Sequence, residues 1–336
     1  MSSERRTPLE RRVALLEDPI EQYTRMVEIR ELEERVNDLF AAGTIHGTTH
    51  LCIGQEALAV GLASVLRPTD AVAATYRGHG MALALGLTPR SVLAEIMGRS
   101  EGCTGGVGGS MHLCDMSVGV LPTSAIIGAG LPIAAGAALA YQNRGQDSVS
   151  VAVFGDGAAN IGAFHEALNL ASVWKLPVIF LLDNNVYGEY SRINLTTPFE
   201  DLYHRATSYG IPGVAVDGMD ITAVQQTISS AVDRARTGQG PTLVEAKTYR
   251  FAGHSRADTA PYRPAGELEQ WRTRDPLLLT RQSLIAQGRA DDNVLDAREA
   301  EVKAEIAEVI REVEAMPLPD VSAMFTNILA TSRESS

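Results

Sequence analysis

The sequence predicts an α/β protein: a central, mostly parallel sheet flanked by helices, with helical extensions at the N- and C-terminal ends. Three observations carry this. The runs from Val149 to Phe154 and from Val178 to Leu182 are apolar and short, long enough for buried strands and too short for helices. Between them Ile161, Phe164, Leu168, Ala171 and Trp174 recur at helical spacing, and Pro177 ends that pattern. A strand, a helix and a second strand in this order form a crossover unit whose strands run parallel. The alternation then continues, with strand character at 214–216 and 242–248 and a helical pattern from Ile221 to Arg236 between them.

Taken from the start, residues 1–17 read as a flexible tail. A helix is expected over 20–40, with Met26, Ile29, Leu32, Val36 and Leu39 on one face. A turn at 43–49 leads to a helix at 55–66, a short strand at 71–75 and a helix at 89–97. Residues 102–122, which include GCTGGVGGSMH, are glycine-rich and unpatterned, and a loop of that length inside a domain is usually functional. A small-residue helix over 126–143 reaches the central unit, and a helix near 199–209 follows it. Residues 249–263 form a polar loop, and three helical stretches (268–271, 277–287 and 293–314) close the chain. The expected division is a tail (1–17), an α/β domain (18–265) and a helical extension (266–336).

Composition narrows the function. Of the 336 residues 45% are hydrophobic and 21% charged, ordinary for a globular protein with ample core. A formal charge of −12 argues against non-specific nucleic-acid binding. Cys52, Cys103 and Cys114 are too scattered for a disulfide framework or a zinc site, so a reducing cytoplasm is the default. The segment MSSERRTPLERR lacks the apolar stretch of a secretory signal, and no apolar run reaches membrane-spanning length.

Both polar signals of the central unit fall at the carboxyl ends of neighbouring strands, where open α/β sheets bind ligands. Gly155 and Gly157 let the backbone turn sharply and approach a ligand. Asp156 and Asn185 offer a carboxylate and an amide oxygen, hard ligands suited to Mg²⁺ held together with phosphate oxygens. The pattern points to a metal–diphosphate site, and the plainer alternative is an ordinary turn followed by an Asx-rich loop. His50, His79, His112 and His254 sit in loops or at strand ends, and at least two of them are expected to line one site. Tyr76 and Arg77 could bind diphosphate through a phenol and a guanidinium fork.

These segments carry a resemblance. GDGAAN followed by one helix and a strand ending in NN-VY resembles the thiamin diphosphate motif. THLCIGQEA, YRGHG, GGVGGSMH, VDGMD, GPTLVEAKTYR and GHSRAD occur around it in the order found in one family. Together they resemble the α subunit of the thiamin-diphosphate-dependent decarboxylase component of 2-oxo acid dehydrogenase complexes, the pyruvate, acetoin and branched-chain group. The resemblance implies a thiamin-diphosphate-binding fold, with Asp156, Asn185 and the Tyr187 carbonyl on Mg²⁺. It also implies Tyr76, Arg77, Gly155, Gly157 and Ala158 near the diphosphate, and backbone at Ala125 and Ile127 against the aminopyrimidine. His50 and His254 would lie beside the reacting thiazolium carbon, with His79 a further catalytic candidate. Two departures fall near the expected substrate pocket: Thr48 stands where the family has a bulky aromatic, and Ala125 where glycine is usual. Ser255 matches the position of a regulatory serine in some relatives.

Thiamin chemistry also needs a carboxylic acid at the aminopyrimidine, which single-chain thiamin enzymes carry on a second α/β domain. This chain has no room for one, so the resemblance implies a β subunit, two α and two β chains, and an inactive isolated α chain. The implied reaction is decarboxylation of a 2-oxo acid or cleavage of acetoin, with the acyl unit passed to a lipoyl group on a partner acyltransferase. A transketolase-like carboligase subunit is the alternative within the same cofactor class, and a non-catalytic orphan subunit is the alternative outside it.

Overall fold

A computed structural model describes residues 6–16 and 18–326 of the chain. Strands β1 (Ala71–Ala73), β2 (Ser150–Gly155) and β3 (Val178–Asn184) are followed by a two-stranded antiparallel ribbon, β4 (Tyr187–Gly188) and β5 (Ser191–Arg192). Strands β6 (Gly213–Asp217) and β7 (Thr242–Lys247) complete the set. Five of these form one sheet in the order β1-β2-β3-β7-β6, every pair parallel. The chain skips one position after β3 and returns to fill it with β7, so the polar loops after β1, β2, β3 and β7 emerge at one edge.

Strands β1, β2, β3 and β7 are buried on both faces, which is why they read as continuous apolar runs, whereas the edge strand β6 is partly exposed. Alternate residues go to opposite sides. Val151, Val153, Ile179, Leu181 and Val244 join one core, while Ala152, Phe154, Phe180, Leu182 and Leu243 join another. From the N-terminus the helices are α1 (Pro8–Ala14), α2 (Pro19–Ala41), α3 (Glu56–Ala63), α4 (His79–Ala84) and α5 (Pro89–Ile96). Next come α6 (Gly130–Asn143), α7 (Gly162–Trp174), the single turn α8 (Ile193–Thr196) and α9 (Ile221–Arg236). The last are α10 (Glu267–Arg272), α11 (Pro276–Ala286) and α12 (Asp292–Glu314). Helices α6 and α7 cover the second face, and α2 to α5 with α9 cover the first. The C-terminal helices build no core of their own: Leu284, Leu295, Val302, Ile306 and Val309 join the first core, and α12 packs on α2 and α5. Among the described residues no helix is long and apolar enough to cross a membrane.

The expected elements occur, and the differences have local causes. Residues 8–14 are a helix rather than part of a tail, because Thr7 and Glu10 close a capping box around its first turn. That helix carries two fully buried arginines. Arg12 donates to the carbonyls of Val118, Arg67 (2.6 Å) and Asp70 (3.3 Å), and Arg11 pairs with Glu28 at 2.5 Å. Residues 1–5 and Glu17, also assigned to the tail, lie outside the described residues, as do the last ten, 327–336. A helix, α4, begins at His79, directly after the YRG turn. Residues 156–160 form a 3-10 turn before α7, and 202–209 are 3-10 rather than α-helical.

The glycine-rich loop has a template that the sequence does not announce. Glu95, fully buried on α5, accepts four backbone N–H groups. They come from Thr104 (2.8 Å), Gly106 (2.9 Å), Gly108 (2.7 Å) and Gly109 (3.0 Å). Burial alone raises a carboxyl pKa, but these donors outweigh it and hold Glu95 below its ordinary value.

Arg12→Met takes the guanidinium donor away from the buried Val118 and Asp70 carbonyls, and a buried acceptor left without a donor costs free energy. The variant is expected to lose about 3 kcal/mol of stability. Urea unfolding of the two proteins measures this, and a loss below about 1 kcal/mol rejects the anchoring role.

Candidate active site

At the carboxyl edge of the sheet lies a cavity of about 510 Å³, lined from the ends of β1, β2, β3 and β7 and from the loops beside them. Its size is that of a small-molecule site. The floor is built by β2 and β3. Asp156, directly after β2, is 2% exposed, and its Oδ2 has no hydrogen-bond partner. Burial, reinforced by the nearby Asp183 carboxylate, pushes its pKa up to about 7. Asn185, just past β3, is 7% exposed and its Oδ1 also lacks a partner. Asn184 is committed elsewhere, donating to Glu245 (2.6 Å) and accepting from the Val186 N–H (3.1 Å).

Two backbone features bring these groups together. A Cβ on Gly188 would stand 3.3 Å from the Gly157 Cα, so the two strand ends close on each other only where both lack side chains. Val186, between Asn185 and Tyr187, has φ of 77°, an outlier for a β-branched residue and a strained conformation of the kind kept at functional sites. Tyr187 is buried, its hydroxyl donating to Glu267 of α10 at 2.6 Å and accepting from Arg192 at 2.7 Å, which fixes the ribbon.

The wall is cationic and aromatic. His50 and His254 stand with ring centroids 5.0 Å apart, and the Tyr76 ring lies 4.4 Å from His50. Burial, then the Arg77 charge, lowers the His50 pKa to about 3. The same causes, with Arg250 added, lower His254 to about 4. Both imidazoles are neutral at pH 7, and His50 Nδ1 is buried without a partner. Arg77 lines the cavity, but its two terminal nitrogens donate to the carbonyls of Leu51 (2.6 Å) and His254 (2.9 Å). It staples the two histidine-bearing loops together and adds positive potential without being free to turn.

Of the other sequence-derived candidates, Gly155, Gly157, Ala158, Ala125 and Ile127 all line the cavity. His79 does not. It is fully buried, with Nδ1 2.5 Å from Glu33 and Nε2 2.9 Å from Ser110 Oγ, so both ring nitrogens are occupied in fixing the glycine-rich loop. His112 is also absent from the lining, its Nδ1 3.0 Å from the Gly108 carbonyl. Thr48 is exposed and outside the lining, to which this segment contributes His50.

Among the lining residues that sequence reasoning missed are Asp183, Gln55 and Arg250. Asp183 was read only as the end of a strand, and Gln55 as the start of a helix. Arg250 is 2% exposed, and its Nε is a buried donor without a partner. It also donates to the Glu189 carbonyl (3.1 Å) and to the Tyr262 hydroxyl (3.0 Å), and Tyr262 in turn meets Asp258, which accepts the His254 N–H at 2.6 Å. Nothing local in TYRFAG marks that arginine as part of a site.

The donor set fits a divalent cation carried with phosphate. Two unpartnered, buried oxygens of hard-ligand type converge from adjacent strand ends, and a guanidinium N–H without an acceptor faces the same cavity. Among the described residues no three His, Cys, Asp or Glu side chains gather to hold a metal.

Known proteins match this chain over most of its length. The family model described as dehydrogenase E1 component matches residues 24–322. The α subunit of acetoin:2,6-dichlorophenolindophenol oxidoreductase from Cupriavidus necator is 42% identical, over 91% of this chain and 92% of that protein. The pyruvate dehydrogenase E1 component subunit alpha of Rhizobium meliloti is 40% identical, over 93% of this chain and 90% of that protein. The Bacillus subtilis acetoin:2,6-dichlorophenolindophenol oxidoreductase α subunit is also 40% identical, over 91% and 92%.

The Asp156 environment gives a signed expectation for the ligand-free protein. A carboxyl whose folded pKa is raised to about 7 binds more protons folded than unfolded between its ordinary value and that point. Its contribution is therefore present at low pH and lost as pH rises through about 7. Asp156→Asn, which cannot ionise, is expected to stabilise the protein at pH 8 by roughly 2–4 kcal/mol and by a smaller amount, about 1–2 kcal/mol, at pH 5, where the unfolded carboxyl is already ionised. Urea denaturation at both pH values reads this, and an equal effect at both rejects the buried-carboxylate account.

Proposed function

Because the chain belongs to the dehydrogenase E1 component family, we propose that it is the α subunit of a heteromeric thiamin-diphosphate-dependent enzyme that decarboxylates a 2-oxo acid or cleaves acetoin. The acyl unit goes to a lipoyl group on a partner acyltransferase. The observation that carries this reading is the pair of buried, unpartnered oxygens on Asp156 and Asn185 at neighbouring strand ends. They would hold Mg²⁺ with the Tyr187 carbonyl. Gly155, Gly157, Ala158 and Tyr76 would border the diphosphate, and Arg77 and Arg250 supply positive potential around it. Ala125 and Ile127 would meet the aminopyrimidine. Bound thiamin diphosphate supplies a nucleophilic carbon and an electron sink.

The chain's own contribution is a pocket that sets two neutral imidazoles beside the Arg77 and Arg250 guanidiniums. With Nδ1 unpaired, His50 can take up or return a proton at that atom, and the lowered pKa makes it a donor once protonated. His254 is placed by its backbone, through Asp258 and Arg77, and its ring shares the His50–Tyr76 cluster. Ile126 and Ile127 stand 71% and 48% exposed at the rim. A β subunit seated there, in an assembly of two α and two β chains, would cover them and bring the missing carboxylic acid to the aminopyrimidine. A cytoplasmic setting suits the three free thiols.

The test co-expresses the chain with a β subunit and follows artificial-acceptor reduction with pyruvate, branched 2-oxo acids and acetoin in parallel, with Mg²⁺ and thiamin diphosphate present. Turnover of one of these is expected. A well-assembled complex that binds the cofactor and turns over none of them rejects the reaction class. Asp156→Ala is expected to abolish Mg²⁺-dependent cofactor binding by calorimetry while the circular dichroism spectrum stays unchanged; retained binding rejects the metal assignment. His50→Ala and His254→Ala are expected to lower kcat on the order of 10²- to 10⁴-fold with cofactor affinity largely kept. Loss below about fivefold would remove either residue from proton transfer.

A further inference from the structure

Three buried oxygens that line the cavity have no hydrogen-bond partner: Asp156 Oδ2, Asn185 Oδ1 and Gln55 Oε1. A cation accounts for the first two. It does not account for Gln55, a neutral side chain that is 4% exposed at the entry to α3.

The orientation of the Gln55 amide is fixed by its neighbours. Nε2 donates to Asp183 Oδ2 at 2.5 Å and lies 3.4 Å from Thr248 Oγ1, while Thr248 Oγ1 itself donates to Asp183 Oδ1 at 2.5 Å. With the amino end turned to these oxygens, the carbonyl end is what remains for the cavity. An amide carbonyl buried without a donor costs free energy that a water or a bound ligand relieves. Asp183 also sets the level of the contact. It is the register partner of Gly155, the residue before Asp156, and it stands two positions before Asn185. The Gln55 amide is thereby tied to the same strand ends as the two cation-facing oxygens.

We propose that Gln55 is a ligand-contacting residue of this site, its carbonyl accepting a hydrogen bond from an O–H or N–H donor on the bound metal–cofactor assembly. The inference rests on the thiamin-diphosphate reading above. Two donors share this chemistry: a water retained by the cation, since Mg²⁺ dehydrates reluctantly, and an N–H of the organic part of the cofactor. Asp183 and Thr248 act as positioning residues, holding the amide so that only its oxygen faces inward.

The experiment uses the assembled complex with its β subunit and compares wild type, Gln55→Met and Thr248→Val. Mg²⁺ is titrated by calorimetry, once with saturating thiamin diphosphate and once with inorganic pyrophosphate in its place. Gln55→Met removes the carbonyl, whereas Thr248→Val loosens Asp183 and leaves it. A tenfold or greater weakening for Gln55→Met, with less than threefold for Thr248→Val, is expected. Weakening with both probes identifies the donor as metal-bound water, and weakening with thiamin diphosphate alone identifies it as an N–H of the cofactor. Wild-type affinity in Gln55→Met, or equal losses in the two variants, overturns the proposal and leaves Gln55 as a brace for Asp183. A wild-type complex that binds neither probe overturns the cofactor reading and this contact with it. If Gln55→Met fails to assemble, Gln55→Asn, which withdraws the amide by one methylene, is read against the same limits.

Discussion

A carboxylate oxygen kept from water with nothing to accept from is expensive, and the surrounding structure holds Asp156 in that condition. It stands at the end of β2, between β1 and β3, and its Oδ2 receives no hydrogen bond from the loops around it. The Asp183 charge worsens its position, because parallel register brings Gly155 opposite Asp183. The strain at Val186 and the bare contact of Gly157 with Gly188 belong to the same arrangement. Local rules are broken here and compensated elsewhere, by strands β2, β3 and β7 buried on both faces and by a ribbon tied to α10 through Tyr187, Arg192 and Glu267.

The cavity carries charges of both signs, with Asp156 and Asp183 at the strand ends and Arg77 and Arg250 in the loops after β1 and β7. Such a mixture suits a cation bound together with an anion. It also sets the histidines: burial with two guanidiniums nearby keeps His254 neutral, and burial with Arg77 does the same for His50. The arginines act without moving, since Arg77 is bonded to two carbonyls and Arg250 to a carbonyl and a phenol. A preorganised field of this kind needs no rearrangement when charge develops.

Much of this was legible in the sequence because its signals are local. Buried parallel strands announce themselves as apolar runs, and the central helix as a 3.6-residue period. The Asp156/Asn185 floor could be read because topology forces neighbouring strand ends together. What could not be read depends on partners far away in the chain. His79 looked catalytic in YRGHG, but Glu33 and Ser110 claim both its nitrogens. The helix at 8–14 looked like tail because arginines seldom signal burial, and its anchors are carbonyls near residues 67–70 and 118. Thr48 was placed near the pocket by the resemblance, and in this chain it is exposed and outside the cavity lining.

Burial alone would not have separated the functional carboxylate from the structural ones. Glu33, Glu95, Asp70 and Glu245 are all fully buried, as deeply as Asp156. Glu95 collects four backbone N–H groups. Glu33 takes the Cys52 N–H and His79, and Asp70 takes the Arg67 and Val149 N–H groups with Arg236. Glu245 takes Asn184, the Tyr203 N–H and Lys247. Each of these is a hub around which loops are folded, and its acceptor capacity is spent inside the chain. Asp156 has an oxygen to spare, and so do Asn185 and Gln55 beside it. In a fold this rich in buried acids, Asp156 is the one among these carboxylates with an unspent lone pair, and that marks where the chain is built to receive something it does not itself contain.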